Sequence, residues 1–336
     1  MSGQTDLDLF TPEFLGIDPT QIVRSINDTG FFSFPRAVRP AFLEQLQHEL
    51  APHKPAFNLN DASPVWFNEQ YFFPHALACS RSYFNYVTAG ALRAICESKL
   101  GSGFRLKCHR YYETGPGHSM EWHADNVTND GVVTDSNGLI FILYVNDVDD
   151  GEFQLVSDSY AARKSGDWSY NYTNQYVEET FGSKIRSFRM PAGSLIVYDT
   201  YGIHRAKPIV SSSFVRKSIF FQVDQSDRFA EKLLLDPSFF GDRDSALLDY
   251  LGFGMTHDFP ANPRSSINDV PAAHLFAFQG RLLVALLFRI KCALFGLLPH
   301  DSKIRYHHWK VATAASLKLD YPRLFRILKS TLGKFV

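Results

Sequence analysis

Residues 138–157 read GLIFILYVNDVDDGEFQLVS. Two short runs of aliphatic and aromatic residues, GLIFILYVND and GEFQLVS, are bounded by Asn, Asp and Gly. Such runs read as strands, and the few residues between them leave no room for a crossover helix. The same pattern continues on both sides. FRLKCHRYYE (104–113), KIRSFRMP (184–191), GSLIVYDT (193–200), HRAKPIV (204–210) and VRKSIFFQVD (215–224) are again short, β-branched or aromatic, and closed by turn residues. Seven short strands without a strand–helix–strand rhythm predict a sandwich or jelly roll. A polar, Tyr- and Ser-rich insert at about 158–180 interrupts them and is expected to form a lid or a pocket wall.

Outside this block the pattern turns helical. DPTQIVRSINDTGFFSF (18–34) predicts a helix ended near Gly30 and then a short strand. RPAFLEQLQHELAPH (39–53) has Pro40 at a helix start and apolar residues at 42, 43, 46 and 50, which is helical spacing. SRSYFNYVTAGALRAICESKLG (80–101) predicts one more helix, stopped by Gly101. The chain thus divides into an N-terminal helical segment (1–103), a β core (104–225) and a C-terminal helical region (226–336). The fold class is mainly β with flanking helices.

The C-terminal region is apolar first and basic afterwards. HLFAFQGRLLVALLFRIKCALFGLLP (274–299) is interrupted by Arg281, Arg289 and Lys291, so its apolar run is too short to span a bilayer. Residues 301–336 hold eight Lys or Arg against Asp301 and Asp320. The plain reading is a core helix packed on the barrel, followed by a solvated one. The alternative lays the pair on an anionic membrane surface.

Composition narrows the classes. At 336 residues the chain has length for a sizeable core, and 45% hydrophobic content excludes a disordered one. A net charge of −1 gives no whole-chain case for nucleic acid. The four cysteines (79, 96, 108, 292) form no CxxC pair, so they are expected to be reduced and the protein cytoplasmic. The start, MSGQTDLDLF, lacks the basic and apolar run of a secretory signal.

The chemistry is carried by MEWHADN, residues 120–126. His123 and Asp125 are two apart, so at a strand end both can aim at one ion. A third ligand is expected at His204 in YGIHRAKPI, with His118 in the preceding loop as its only rival. Two imidazoles and one carboxylate make the facial triad of non-haem iron sites, although zinc also accepts that set. Twelve residues beyond His204, Arg216 and Ser218 share one face of an apolar strand. A buried Arg demands an anion, and its fork suits a carboxylate.

In this order, on these strands, the motifs resemble the Fe(II)/2-oxoglutarate-dependent dioxygenases, and more closely the phytanoyl-CoA dioxygenase branch. The carrying stretches are WHADN, FILYVNDVDDGEFQLVSDS, MPAGSLIVYDTYGIHRAKP and VRKSIFFQV. The resemblance implies a double-stranded β-helix, cupin-like, with His123, Asp125 and His204 as iron ligands. It implies Arg216 holding the distal carboxylate of 2-oxoglutarate, with Ser218 and Tyr112 as further contacts; Lys107 and Arg110 are the rivals of Tyr112. Trp122 and Asn126 flank the ligands and are expected either to line the substrate pocket or simply to pack. Fe(II), 2-oxoglutarate and O2 are the implied cofactor and co-substrates, and oxidation of a C–H bond, with release of succinate and CO2, the implied reaction. A carboxylate at 125 fits hydroxylation, or desaturation or epoxidation by the same oxidant, since related halogenases carry a small residue there. Two departures stand out. Ser157, Asp158 and Ser159 replace a Gly-Ser-His turn, and Ala206 stands where some members have a hydroxyl. The substrate is expected to be a small molecule or an acyl chain. The competing readings are a non-catalytic jelly-roll module docked to a membrane or partner, and a zinc hydrolase.

Overall fold

A computed structural model of the chain describes residues 5–56, 58–59, 70–73, 75–116, 120–125, 137–159, 171–225, 233–240 and 245–253, and scattered residues between 279 and 324. The chain forms two compact units, residues 1–63 with 69–253, and residues 64–68 with 254–336.

Twelve strands are described in the first unit: β1 (Phe31–Phe34), β2 (Asn58–Leu59), β3 (Gln70–Phe73), β4 (Arg105–Thr114), β5 (Trp122–His123), β6 (Gly138–Tyr144), β7 (Val148–Val156), β8 (Asn171–Tyr172), β9 (Ile185–Met190), β10 (Leu195–Asp199), β11 (His204–Ala206) and β12 (Arg216–Asp224). All seven strands expected between 104 and 224 are among them. They build a seven-stranded sheet in the order β1-β10-β6-β12-β4-β3-β2 and a five-stranded sheet in the order β8-β5-β11-β7-β9. Every pairing is antiparallel.

Alternation along β6 explains the layering. Strand side chains point to opposite faces in turn, and β6 is buried along its whole length. Leu139, Phe141 and Leu143 join a core with the helices. Ile140, Ile142 and Tyr144 instead meet Phe153, Leu155 and Phe188 of the five-stranded sheet. The apolar run of β6 is therefore uninterrupted because both of its faces are covered. Phe141 stacks on Phe221 of β12 with ring centroids 4.5 Å apart. Truncating a ring so placed costs about 3–5 kcal/mol.

The helices are α1 (Asp6–Leu9), α2 (Pro12–Leu15), α3 (Pro19–Thr29), α4 (Pro40–Leu50), α5 (Ala76–Cys79), α6 (Arg81–Val87), α7 (Gly90–Leu100), α8 (Asn174–Phe181) and α9 (Ser245–Tyr250). α3 starts where Asp18 accepts from the Thr20 amide and stops at Gly30 with φ 89°. The single helix expected over 80–101 is two. The Asp6 carboxylate accepts from the amides of Gly90 and Ala91 at 3.1 and 2.6 Å, and so caps α7 as a separate element. A Cβ on Gly90 would lie 2.9 Å from that carboxylate, so the cap needs glycine there. The Ser80 hydroxyl caps α6 in the same way.

Two findings depart from the three-way division of the sequence. Residues 233–253 rejoin the first unit, where Tyr250 and Leu251 are core residues and Phe239 and Phe240 pack against them. In the second unit, the described part of 274–299 is not core: Leu283, Leu286, Leu287, Ile290, Leu294 and Leu297 are exposed. Among the described residues, no helix is long and apolar enough to cross a membrane.

Candidate active site

β5 and β11 are neighbours in the five-stranded sheet, with His123 directly opposite His204. Their rings lie 4.2 Å apart between centroids. Asp125 follows two residues after His123, in the turn that ends β5 rather than on the strand itself. Its carboxylate lies 3.6 Å from His123 Nε2 and 3.3 Å from His204 Nε2. One ligand atom from each residue falls within 4.8 Å of the other two. Eighty-one residues of sequence separate the two histidines, and the antiparallel pairing brings them together.

The proton inventory shows what is missing between them. His123 Nδ1 lies 2.7 Å from the Glu121 carbonyl and His204 Nδ1 lies 2.9 Å from the Gly202 carbonyl. A carbonyl only accepts, so both Nδ1 atoms carry a proton, and Nε2 of each ring is the atom turned toward Asp125. Burial holds the His204 pKa down at about 4; His123 pushes the same way and Asp125 opposes. His204 is therefore neutral at pH 7 and its contact with Asp125 is not an ion pair. Asp125 Oδ2 is buried and has no hydrogen-bond partner. Two imidazole nitrogens and one carboxylate oxygen thus converge on one point. Such a set repels itself and is satisfied by a cation, and the Nδ1–H to carbonyl bonds are the usual orientation of metal-binding histidines. The residues present fit a divalent metal. The hydroxyl of Tyr198 on β10, fully buried, reaches His204 Nε2 at 3.3 Å. Burial first, then Asp125, keep that phenol protonated far above its ordinary range.

A cavity of about 170 Å³ opens beside the triad. His123, Asp125 and His204 lie on its wall with Arg216, Ser218, Tyr112 and Tyr144, and Ile142, Phe153 and Phe220 give it apolar sides. Arg216 is buried, and its guanidinium donates to the Gly151 carbonyl. Gly151 sits at φ 62°, and a Cβ there would meet Ile209 at 2.2 Å, so this acceptor depends on glycine. No carboxylate among the described residues pairs with Arg216. Glu152 is taken by Lys207 at 2.9 Å and by Arg189 at 3.5 Å, and Asp150 accepts from the amides of Val210 and Ser211. Burial pulls the Arg216 pKa below its ordinary value, with Tyr144, Glu152 and Asp150 opposing. An Arg does not give up its proton in a protein, so the cavity wall carries a buried positive charge with no carboxylate hydrogen-bonded to it among the described residues.

No protein-family model and no curated protein matches the sequence. Solved structures do. One titled as the non-heme alpha ketoglutarate dependent carbocyclase SnoK from nogalamycin biosynthesis superposes with a TM-score of 0.51 at 13% identity, covering 63% of this chain and 85% of that one. The epimerase SnoN from the same biosynthesis gives 0.46 at 13% identity, with 61% and 81% covered. HygX from Streptomyces hygroscopicus, with nickel and 2-oxoglutarate bound, gives 0.45 at 15%, with 60% and 85% covered. The match to SnoK shows a shared mainly antiparallel fold.

The expected site residues separate into two groups. His123, Asp125, His204, Arg216, Ser218 and Tyr112 meet at one cavity. Ser218 lies opposite Tyr112 on one side and Tyr144 on the other, so the three are abreast across β4, β12 and β6. Trp122 does not line that cavity. It is fully buried with Val156, Tyr172, Val177 and Ile203, as its position one residue from His123 requires. Asn126 and His118 lie outside the described residues. Lys107, a rival of Tyr112, pairs with Asp224 at 2.8 Å. Arg205 stacks on Trp122 at 4.4 Å and bonds Gln154 and Asn174, while Lys207 is bound to Glu152. Both are occupied in pairs. Tyr144 and Tyr198 were not expected. Each is two residues on from Ile142 or Ile196 along its strand, so alternation carried that signal once the inward face was known. Tyr144 Oη accepts from the Phe153 amide at 3.0 Å, which leaves its proton to be donated elsewhere.

The Ser157–Asp158–Ser159 turn supports the ligand strand. Ser159 Oγ donates to the Val156 carbonyl and accepts from the amide of Ile203, both at 2.8 Å, one residue before His204. Asp158 adopts φ 62°, a left-handed conformation that glycine takes more readily.

Proposed function

We propose that this chain is a non-haem Fe(II)- and 2-oxoglutarate-dependent dioxygenase on a double-stranded β-helix, similar to the phytanoyl-CoA dioxygenase branch. It hydroxylates a C–H bond of a small-molecule or acyl substrate. One observation carries the reading: a single cavity joins a cation-demanding triad to an anion-demanding Arg. A dicarboxylate that chelates the metal at one end and meets Arg216 at the other answers both demands.

The protein's part follows from its own residues. His123, Asp125 and His204 would hold the metal, at the wall of the cavity. Arg216 binds the distal carboxylate bidentately, and Ser218 and Tyr112, abreast of each other, add hydroxyl donors. Tyr144, whose oxygen already accepts from Phe153, presents its proton to the same ligand. Ile142, Phe153 and Phe220 keep water away from the reacting C–H bond. Bound Fe(II), with 2-oxoglutarate and O2, supplies the oxidising chemistry, with succinate and CO2 as by-products. Asp125 would supply a carboxylate ligand, which favours hydroxylation over transfer of an exogenous anion.

The test is succinate formation from 2-oxoglutarate by the purified protein with Fe(II) and O2, even without substrate. Slow, O2-dependent succinate production is expected, and it should vanish in Asp125→Ala. A protein that binds Fe(II) or Zn(II) yet makes no succinate and does not bind 2-oxoglutarate would instead fit a hydrolase or a binding module.

A further inference from the structure

Leu283, Leu286, Leu287, Ile290, Leu294 and Leu297 are between 46% and 82% exposed. The described residues at 279, 280, 283, 286, 287, 290 and 294 are helical. Steps of three and four residues put Leu283, Leu286, Leu287, Ile290 and Leu294 on one helix face, with Leu297 in the turn beyond. Of the fifteen large hydrophobic side chains found exposed among the described residues, nine lie between 283 and 324. The other six are scattered singly, which is ordinary for a protein surface. A contiguous row is not, and it marks an interaction surface. Trp309 and Tyr321, at 60% and 61% exposure, add the two side chains that favour a membrane–water boundary.

Charge follows the same boundary. Residues 274–336 hold eleven Lys or Arg and two Asp, a balance of +9, in a chain whose total is −1. Residues 1–273 therefore carry −10. This asymmetry selects the occupant. A second copy would set one +9 segment against another. A nucleic acid would meet cations, not a row of leucines. A spanning helix is excluded by Arg281, Arg289 and Lys291. An anionic bilayer satisfies both features, since it takes aliphatic side chains at the headgroup boundary and attracts positive charge.

We propose that residues 279–324 are a docking surface for an anionic lipid bilayer, with the leucine face entering the headgroup region and the positive balance of the segment held by lipid anions. The proposal is independent of the chemistry at the triad.

The test is co-sedimentation of the full-length protein with two kinds of vesicle, phosphatidylcholine alone and equimolar phosphatidylcholine and phosphatidylserine. Binding to the mixed vesicles should be at least about tenfold stronger, and should weaken with added salt. Leu286→Asp/Ile290→Asp should lower it by roughly tenfold or more, with the thermal midpoint unchanged. Leu286→Gln/Ile290→Gln, a milder change at the same exposed positions, should give an intermediate loss and keeps the test decisive if the first variant misfolds. No binding to mixed vesicles, or binding indifferent to both variants, overturns the proposal. So does a wild-type dimer that the variants dissociate in the absence of any vesicle binding, or tight RNA binding that both variants retain.

Discussion

The two ends of the cavity have opposite shortages. At one end, two imidazole nitrogens and a carboxylate oxygen with no hydrogen-bond partner converge on one point. At the other, the buried guanidinium of Arg216 donates to the Gly151 carbonyl and meets no carboxylate within hydrogen-bond reach among the described residues. Neither end is a sound way to stabilise a fold. Buried lone pairs that face one another repel, and a buried cation without a counter-ion is strongly unfavourable. The difference is what the proposed function would explain, with a cation at the triad and an anion at Arg216.

The largest effect should come from the triad. His204→Ala or Asp125→Ala should weaken Fe(II) binding by at least about 100-fold while leaving the far-UV circular dichroism unchanged; retained binding in both would break the comparison at its cationic end. Next comes Arg216→Met, which should raise the dissociation constant for 2-oxoglutarate by between about tenfold and a thousandfold, with Fe(II) affinity within a few-fold of wild type. The same variant sharpens the comparison. Without 2-oxoglutarate it should melt at or above the wild-type temperature, because an unpaired buried charge has gone. With 2-oxoglutarate only the wild type should gain stability.

A smaller effect separates ordinary buried polar groups from the cavity. His109 is buried against Tyr83, and burial, then Arg110 and His75, hold its pKa down at about 3. The unfolded chain binds that proton near pH 6.5. Stability is therefore full above about pH 6.5 and falls as pH drops toward 3, by up to a few kcal/mol. His204 acts in the same direction between about 6.5 and 4. Urea midpoints measured across this range should show the slope, and His109→Gln should flatten it. An unchanged slope would mean that His109 is not the titrating group. The smallest effect is expected at the turn before the ligand strand. Asp158→Gly should be neutral or stabilise by up to about 1 kcal/mol, because the left-handed position is relieved; a clear loss of thermal midpoint would show that the Asp158 side chain matters more than its backbone.

What was legible in the sequence was local. Strand runs closed by turn residues gave all seven core strands. Spacing put Arg216 and Ser218 on one face of a strand, while His123 and Asp125 share a side although Asp125 lies in the turn after β5. What was not legible depends on partners distant in the chain. The break between α6 and α7 is fixed by Asp6, whose carboxylate caps α7 from more than 80 residues away. The inward position of Tyr144 needs the register that sets it opposite Ser218. The return of residues 233–253 to the core rests on side chains such as Tyr250, whose hydroxyl reaches the Val87 carbonyl at 3.0 Å. Trp122 was legible after all. The alternation that puts His123 into the cavity turns its neighbour away.

The most direct test of the opposite-shortage account is an anaerobic titration of the apoprotein with Fe(II) and then 2-oxoglutarate, followed in the visible range. The account predicts a weak metal-to-ligand charge-transfer band in the wild type, no band in His204→Ala, and in Arg216→Met a band that forms only at much higher 2-oxoglutarate. A wild-type protein that binds Fe(II) but forms no band at saturating 2-oxoglutarate would contradict it.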